Sequence, residues 1–415
     1  MLLFKYSLVP KLYLNYNNYF RGDVMNLKQL SEKYEEYVIQ MRREFHKYPE
    51  VSFKEIRTAQ RIREELQKIG IPFVSIEPNI VIATIKGKKE GKTIAIRGDI
   101  DALPMQEDSD IEYKSEYDGI MHSCGHDAHG AMLLGLAHML NDIKEGLEGK
   151  VLLVFQAAEE VGGGHNEIIQ YFKENGGPDR LIATHVWSNI EAGKISVEPG
   201  PRMAGGSGWR IDITGRGGHG SRPDQSIDPI KPACDIVLKI SSIPVNHVSV
   251  LEQCVVHACA IHGGTTIGNI IPNSAEIIGG YRYFTEESSK KVFDTIKQMS
   301  EGIGQVYGVD VKVTHTGGIG PVINNEESVK MAKEVVSNID GLELDSYEPI
   351  CASDCYGEIL KEYPGFYCYL GVGNKEKGII YAQHHPKYNI DEDTLKLGCE
   401  FMAKYAVEFL NKNDN

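Results

Sequence analysis

Three short runs of aliphatic and β-branched residues, TIAIRGD (93–99), VLLVFQ (151–156) and LIATH (181–185), alternate with stretches of helical periodicity at about 127–141 and 164–175. Helices between sequential strands must pack on the faces of their sheet, so this order predicts an α/β fold with helices flanking a mixed sheet. The alternation breaks where Gly and Pro cluster, at EPGPRMAGGSG (198–208) and again at THTGGIGPV (314–322). Between the clusters lie WRIDIT, a helical stretch near 229–241, a strand pair flanking HGGTTIGNIIPNSAEI, the run GGYRYF and a helical stretch over 286–305. That order predicts a small α+β domain, residues 205–317, inserted between two hinges. The α/β pattern then resumes with a helix near 327–338, the strand FYCYLGV and a C-terminal helix over about 392–411. A chain of 415 residues is longer than one hydrophobic core usually grows. We therefore expect a catalytic domain made of 25–204 and 318–415, interrupted by the insert.

Several classes of partner are disfavoured. A net charge of −14 repels a phosphate backbone, and no Lys/Arg stripe offsets it, so nucleic acid is not expected. No window approaches the roughly 20 apolar residues that span a bilayer, so no membrane is expected. Residues 1–24 interrupt their apolar runs with Lys5 and Lys11 and lack a small-residue cleavage site, which reads as a disordered extension, or as sequence ahead of a start at Met25, rather than a signal peptide. Eight scattered cysteines without a CxxC pair fit a reducing cytoplasm.

In open α/β sheets ligands bind beyond the carboxyl ends of the strands. The first run ends in Asp99 and Asp101, the second in Glu159 and Glu160, the third in His185. One acidic residue after a strand is ordinarily a solvated turn, whereas three successive ends carrying ligand or acid residues point to a site. HSCGHDAHG (122–130) places Cys124 and His126 at a helix N-terminus, where the helix dipole favours a thiolate. The residues alone leave two readings for that segment: metal ligands completed from distant strands, or a buried cysteine with a capping histidine. His122, His129 and His138 are not expected to be ligands. Side chains alternate along an extended strand, so Glu159 and Glu160 should face different ways, one toward a metal and one free to move protons. QHHPKYNIDED (383–393) offers two further histidines. Gly215, Gly217 and Gly220 match GxGxxG formally, but Pro223 and Pro229 delay any helix to about residue 229, which argues against a nucleotide site.

Taken in order, GDIDALP, HSCGHDAHG, FQAAEE, THVW, GRGGHGSRPD, GNIIPNSAEIIGGYR and QHHPKYNIDED resemble the zinc-peptidase-type amidohydrolases, among them hippurate hydrolases, N-acyl-amino-acid amidohydrolases, carboxypeptidases and indole-acetyl-amino-acid hydrolases. The resemblance implies a zinc-peptidase-like catalytic domain with an inserted ferredoxin-like lid that forms a homodimer. It implies two divalent ions, Zn, Mn, Co or Ni, held by Cys124, His126, Glu160, His185 and, by the family pattern, His384 rather than His385. Glu159 would be general base and acid, Asp101 would orient the site, His219 would approach the substrate carbonyl across the dimer, and Asn269 and Arg282 would meet the substrate carboxylate. The expected reaction is hydrolysis of an N-acyl amino acid. A dipeptidase, a carboxypeptidase or a small-metabolite deacetylase would use the same site, and a catalytically silent metal-binding homologue would keep only the ligands. A Ser-Glu-Asp-Phe run common in the family is replaced here by Ala352, Ser353, Asp354 and Cys355, which puts the substrate rather than the metal site in question.

Overall fold

A computed structural model describes residues 26–412; the expectation for residues 1–24 falls outside them. Among the described residues, one eight-stranded sheet carries the α/β part, in the order Phe73–Ile76, Ile80–Lys86, Glu148–Gln156, Lys89–Asp99, Arg180–Glu191, Gly365–Gly373, Lys194–Ser196, Glu343–Asp345. The middle four strands run parallel and the strands outside them are partly antiparallel, so the sheet is mixed. Parallel strands bring their carboxyl ends to one edge, which is where the acidic runs converge.

Helix His126–Ile143 is buried almost all round. It packs on the sheet beside Leu395–Asn411, and Leu27–Lys47 lies against both. Leu27–Lys47 starts at Asn26, whose side chain accepts from Gln29 N–H (2.8 Å) while the Gln29 side chain accepts from Asn26 N–H (3.1 Å). This reciprocal cap satisfies two otherwise orphaned donors. Gly135 allows the close approach of the two helices, since a Cβ there would collide with Val38. A second apolar cluster, with Phe172, Trp187, Tyr356, Tyr367 and Tyr369, covers the other face of the sheet.

Residues 205–319 form a separate four-stranded antiparallel sheet in the order Cys254–Gly263, Ser274–Tyr283, Gly205–Thr214, Asp310–Ile319. Helices Ile230–Ile240 and Glu286–Tyr307 follow its first and third strands in the chain, which is ferredoxin-like connectivity. They pack with the sheet around their own core of Trp209, Ile211, Ile236, Ile277 and Ile296.

The two glycine clusters are not the linkers that their composition suggests. Gly205, Gly206 and Gly208 open one strand and Gly317 and Gly318 close its neighbour, with Gly318 paired to Ser207 and Ile319 to Gly206. At Gly318 glycine is required by space, because a Cβ there would collide with the Gly206 carbonyl oxygen across the pairing. The formal GxGxxG segment is likewise loop and short bridge, and the next α-helix begins at Ile230. No helix of the described residues is long and apolar enough to cross a membrane.

Candidate active site and metal centre

The strand Lys89–Asp99 points Arg97 and Asp99 to one face, and both are buried. Just beyond it, Asp101 Oδ1 lies 3.2 Å from His126 Nδ1, while its Oδ2 accepts from Ser52 Oγ (2.7 Å) and from Glu160 N–H (3.1 Å). One carboxylate thus fixes both an imidazole and the backbone that carries Glu160. With its Nδ1 directed at Asp101, His126 presents Nε2 to the cavity. His185 behaves alike, its Nδ1–H donating to Val186 O (2.7 Å) and its Nε2 lying 3.6 Å from Cys124 Sγ. That histidine sits within its strand, which continues beyond LIATH to Glu191 because Gly365–Gly373 pairs with it throughout.

Gly125 (φ +96°) turns the chain between Cys124 and the helix. A Cβ there would collide with Val186 and lie 2.8 Å from the Tyr388 hydroxyl, so only glycine seats this loop. From the other side, His384, also with positive φ, donates its N–H to Ser123 O (2.8 Å) and brings Nε2 within 3.6 Å of Glu160 Oε1. His385 turns away, stacked on Tyr381 with ring centroids 4.3 Å apart.

The glutamate pair departs from the strand argument. The strand ends at Gln156, Ala158 takes a left-handed turn (φ 62°), and Glu159–Val161 is a single 3-10 turn. Both carboxylates therefore reach the cluster, each lying with its ligand atom within 4.8 Å of that of His126. Their surroundings separate them instead: Glu160 faces His126 (3.9 Å) and His384, while Glu159 Oε1 accepts from Cys355 N–H (3.3 Å). Burial, reinforced by Asp354, pushes the Glu159 carboxyl well above the usual carboxylate range.

Beneath the cluster, Arg97 binds Asp354 through both terminal nitrogens (3.0 and 3.1 Å), Asp99 (2.7 Å) and Gln156 Oε1 (2.8 Å). Burial alone would raise the Asp99 carboxyl, but Arg97, with His126 and His129, holds it well below its usual range. His129 Nε2 accepts from Val186 N–H (2.9 Å), so its Nδ1–H faces Asp99 at 2.5 Å. Both of its nitrogens are engaged, which leaves no lone pair for a metal. His138 packs against Tyr34 and Tyr37, and His122 is buried, its pKa lowered to about 3 by desolvation.

Cys124, His126 and His185 form one group of converging donors, and Cys124, Glu160 and His384 a second that shares the cysteine. His126 Nε2 and Glu160 Oε1 are buried without a hydrogen-bond partner. Orphaned buried acceptors beside a thiol fit divalent cations bound by mixed sulfur, nitrogen and oxygen ligands. Burial pushes the Cys124 thiol well above its ordinary pKa, an effect that a bound cation reverses.

The remaining expected residues lie apart. Arg282 reaches the rim, its Nη1 donating to Ser353 Oγ (3.3 Å). His219 lies in the small ribbon of Gly218–His219 with Ile270–Ile271 and Asn269 just ahead of it, where Gly220 N–H donates to Asn269 O and, among the described residues, the His219 imidazole bonds only to Ser221. Neither has a polar contact with the cluster.

Over residues 95–408 the sequence matches peptidase family M20/M25/M40. The chain belongs to that family. It is 37% identical over 395 residues to thermostable carboxypeptidase 1 of Saccharolobus solfataricus, covering 94% of this chain and 99% of that one. It is 34% identical over 373 residues to an N-acetylcysteine deacetylase of Bacillus subtilis, covering 89% and 96%. A solved Bacillus subtilis structure described as a dinuclear metal binding peptidase of the M20 family superposes with a TM-score of 0.81 at 30% identity, over 92% of this chain and all of that one. This M20 chain is accordingly a metal-dependent hydrolase of amides.

Sequence reading gives Arg97 no place in the site, sets His129 aside as a non-ligand, and meets Asp354 only in the run that departs from Ser-Glu-Asp-Phe. Arg97 is accessible to it, because that residue stands two before Asp99 on one strand face. The pairing of Asp354 with Arg97 is not, since the two lie far apart in sequence.

The position of Asp101 yields a prediction. Asp101→Asn keeps the shape but weakens the hold on His126 and on the Glu160 backbone. We expect metal affinity about 10–100-fold lower, measured by calorimetric titration of chelator-treated protein. Unchanged affinity would remove Asp101 from its orienting role.

Proposed function

We propose that the chain hydrolyses the amide bond of N-acyl amino acids. The observation that carries this reading is the buried Glu159 carboxyl beside two groups of donors that share Cys124. Cys124, His126, Glu160, His185 and His384 would hold two divalent ions. When bound, these supply Lewis-acid polarisation of the carbonyl and activation of a water near neutral pH. Glu159 Oε1 or Oε2 takes the proton of the attacking water and delivers it to the leaving nitrogen, an exchange suited to a carboxyl whose pKa is raised. Asp101 keeps His126 in one tautomer and Glu160 in place. Arg282, at the rim, offers a guanidinium to the substrate carboxylate.

His219 and Asn269 complete the site from outside. In our reading a second copy of the chain supplies them, through the insert acting as a lid and dimerisation unit. The edge strand Cys254–Gly263 supports this, because it has only one neighbour in its sheet and exposes Val255 and Ile261. The N-acetylcysteine deacetylase relative supports the N-acyl amino acid substrate. The carboxypeptidase relative favours a second reading, a peptide with a free C-terminus, which differs only in the acyl group accepted.

A substrate panel separates them. The metal-loaded protein is assayed on N-acetyl and N-benzoyl amino acids and on dipeptides and tripeptides. A kcat/KM at least about tenfold higher on N-acyl amino acids is expected, and the reverse order would favour the carboxypeptidase.

A further inference from the structure

Helix Ile56–Lys68 starts at Glu55, yet the Glu55 side chain makes no cap bond to it. An acidic residue at that position ordinarily accepts from the free N–H groups of the first turn. Glu50 caps the helix instead, its carboxylate accepting from Arg57 N–H (3.1 Å), Thr58 N–H (2.8 Å) and Thr58 Oγ1 (2.9 Å). Glu55 is thereby released from the local role that its place in the chain suggests. Its buried carboxylate bonds elsewhere: Oε1 accepts from Ala158 N–H (2.8 Å) and Phe53 N–H (3.0 Å), and Oε2 from Asn79 Nδ2 (3.1 Å).

Ala158 makes the left-handed turn (φ 62°) that carries the chain from its strand into Glu159 and Glu160. A residue with a Cβ is unfavourable in that conformation and keeps it only where the surroundings impose it. On the far side of Glu159, the Glu160 N–H is held by Asp101 Oδ2 (3.1 Å). The amides immediately before and after Glu159 thus each rest on a buried carboxylate. Both carboxylates are tied to one segment, residues 50–55, since Ser52 Oγ donates to Asp101 Oδ2 (2.7 Å) and Ala102 N–H donates to Glu50 O (2.8 Å). Phe53 in that segment is itself left-handed (φ 66°) and packs on the same loop, where a Cβ on Gly163 would lie 2.8 Å from its Cζ.

Resting on the reading of Glu159 as proton carrier and Glu160 as metal ligand, we propose that Glu55 is a positioning residue for the reaction centre, holding the Ala158 amide and with it the turn that sets the two carboxylates on different partners. Glu55 itself has no bond to a candidate ligand. Without it the buried Ala158 N–H loses its acceptor, and the turn relaxes toward ordinary backbone. Both carboxylates then leave the geometry that metal binding and proton transfer need.

The test compares Glu55→Ala, Glu55→Gln and the double variant Glu55→Ala with Ala158→Gly. In Glu55→Ala we expect kcat on an N-acetyl amino acid to fall about 10²-fold with KM changed less than about threefold. Cobalt titrated into the chelator-stripped variant, followed by calorimetry and visible absorption, should show one of two ions bound about tenfold more weakly. Glutamine keeps an oxygen for Ala158 N–H and should recover most of both losses. Glycine adopts the left-handed turn without support, so the double variant should recover part of them. A lowered thermal midpoint in Glu55→Ala with kcat and cobalt affinity unchanged would make the role purely structural and overturn the proposal. Glu55→Gln as impaired as Glu55→Ala would overturn it as well. Should Glu55→Ala fail to fold, Glu55→Asp, whose side chain falls short of Ala158, takes its place under the same outcomes. Wild-type protein that binds two ions but hydrolyses no N-acyl amino acid would overturn the functional reading, while the cobalt titrations still decide for or against Glu55.

Discussion

Replacing Glu159 with glutamine lowers kcat for amide hydrolysis by about 10²–10⁴-fold and leaves the bound metal and the fold intact. Glutamine keeps the size of the side chain and an oxygen able to accept the Cys355 N–H, but it cannot take up a proton from water. Stability should not fall. Burial and the nearby Asp354 charge disfavour an ionised Glu159, so a neutral isostere removes an electrostatic cost. Turnover, metal content and thermal midpoint measured on one preparation check all three. Wild-type turnover in the metal-loaded variant would exclude Glu159 as the proton carrier, and lost metal would make it a ligand.

The second large effect concerns Arg97→Leu, expected to destabilise the protein by about 3–5 kcal/mol. The substitution strands two buried carboxylates, Asp99 and Asp354, that now share one guanidinium. A charge left alone in a low-dielectric interior costs more than the pair contributes when intact, so Arg97→Leu combined with Asp354→Leu should be more stable than Arg97→Leu alone. Denaturant unfolding of the three proteins decides it. If the double variant were the less stable, Asp354 would not depend on Arg97 for its charge compensation.

The parts of this molecule legible from sequence share one property: their signal is local. TIAIRG, VLLVFQ and LIAT are strands in the structure, and the helix predicted from about 127 begins at His126. The strand Ile80–Lys86 and the helix Ile56–Lys68 escape such reading. The first is an apolar run whose burial comes from its antiparallel partner Glu148–Gln156, and the second carries its buried face among charged residues. The strand Asp310–Ile319 is hidden because its glycines look like a hinge, although Gly318 lies in the strand pairing, where a Cβ would collide with the Gly206 carbonyl.

The site is legible by residue type more than by geometry. Acid and imidazole groups at successive strand ends mark the sheet edge. That Glu159 and Glu160 differ follows from a left-handed turn at Ala158 and from Cys355 and His384 approaching from distant segments, none of which strand alternation could supply. The same holds for the Arg97–Asp354 pair, which exists only once residues far apart in sequence meet.

The central claim is that amide hydrolysis here requires two metal ions on donors that share Cys124. Its most direct test is titration of a divalent metal into chelator-stripped protein, with turnover of an N-acetyl amino acid followed at each step. Activity should be absent without metal and rise to a plateau at two equivalents per chain, whereas full activity in the stripped protein, or a plateau at one equivalent, would contradict the account.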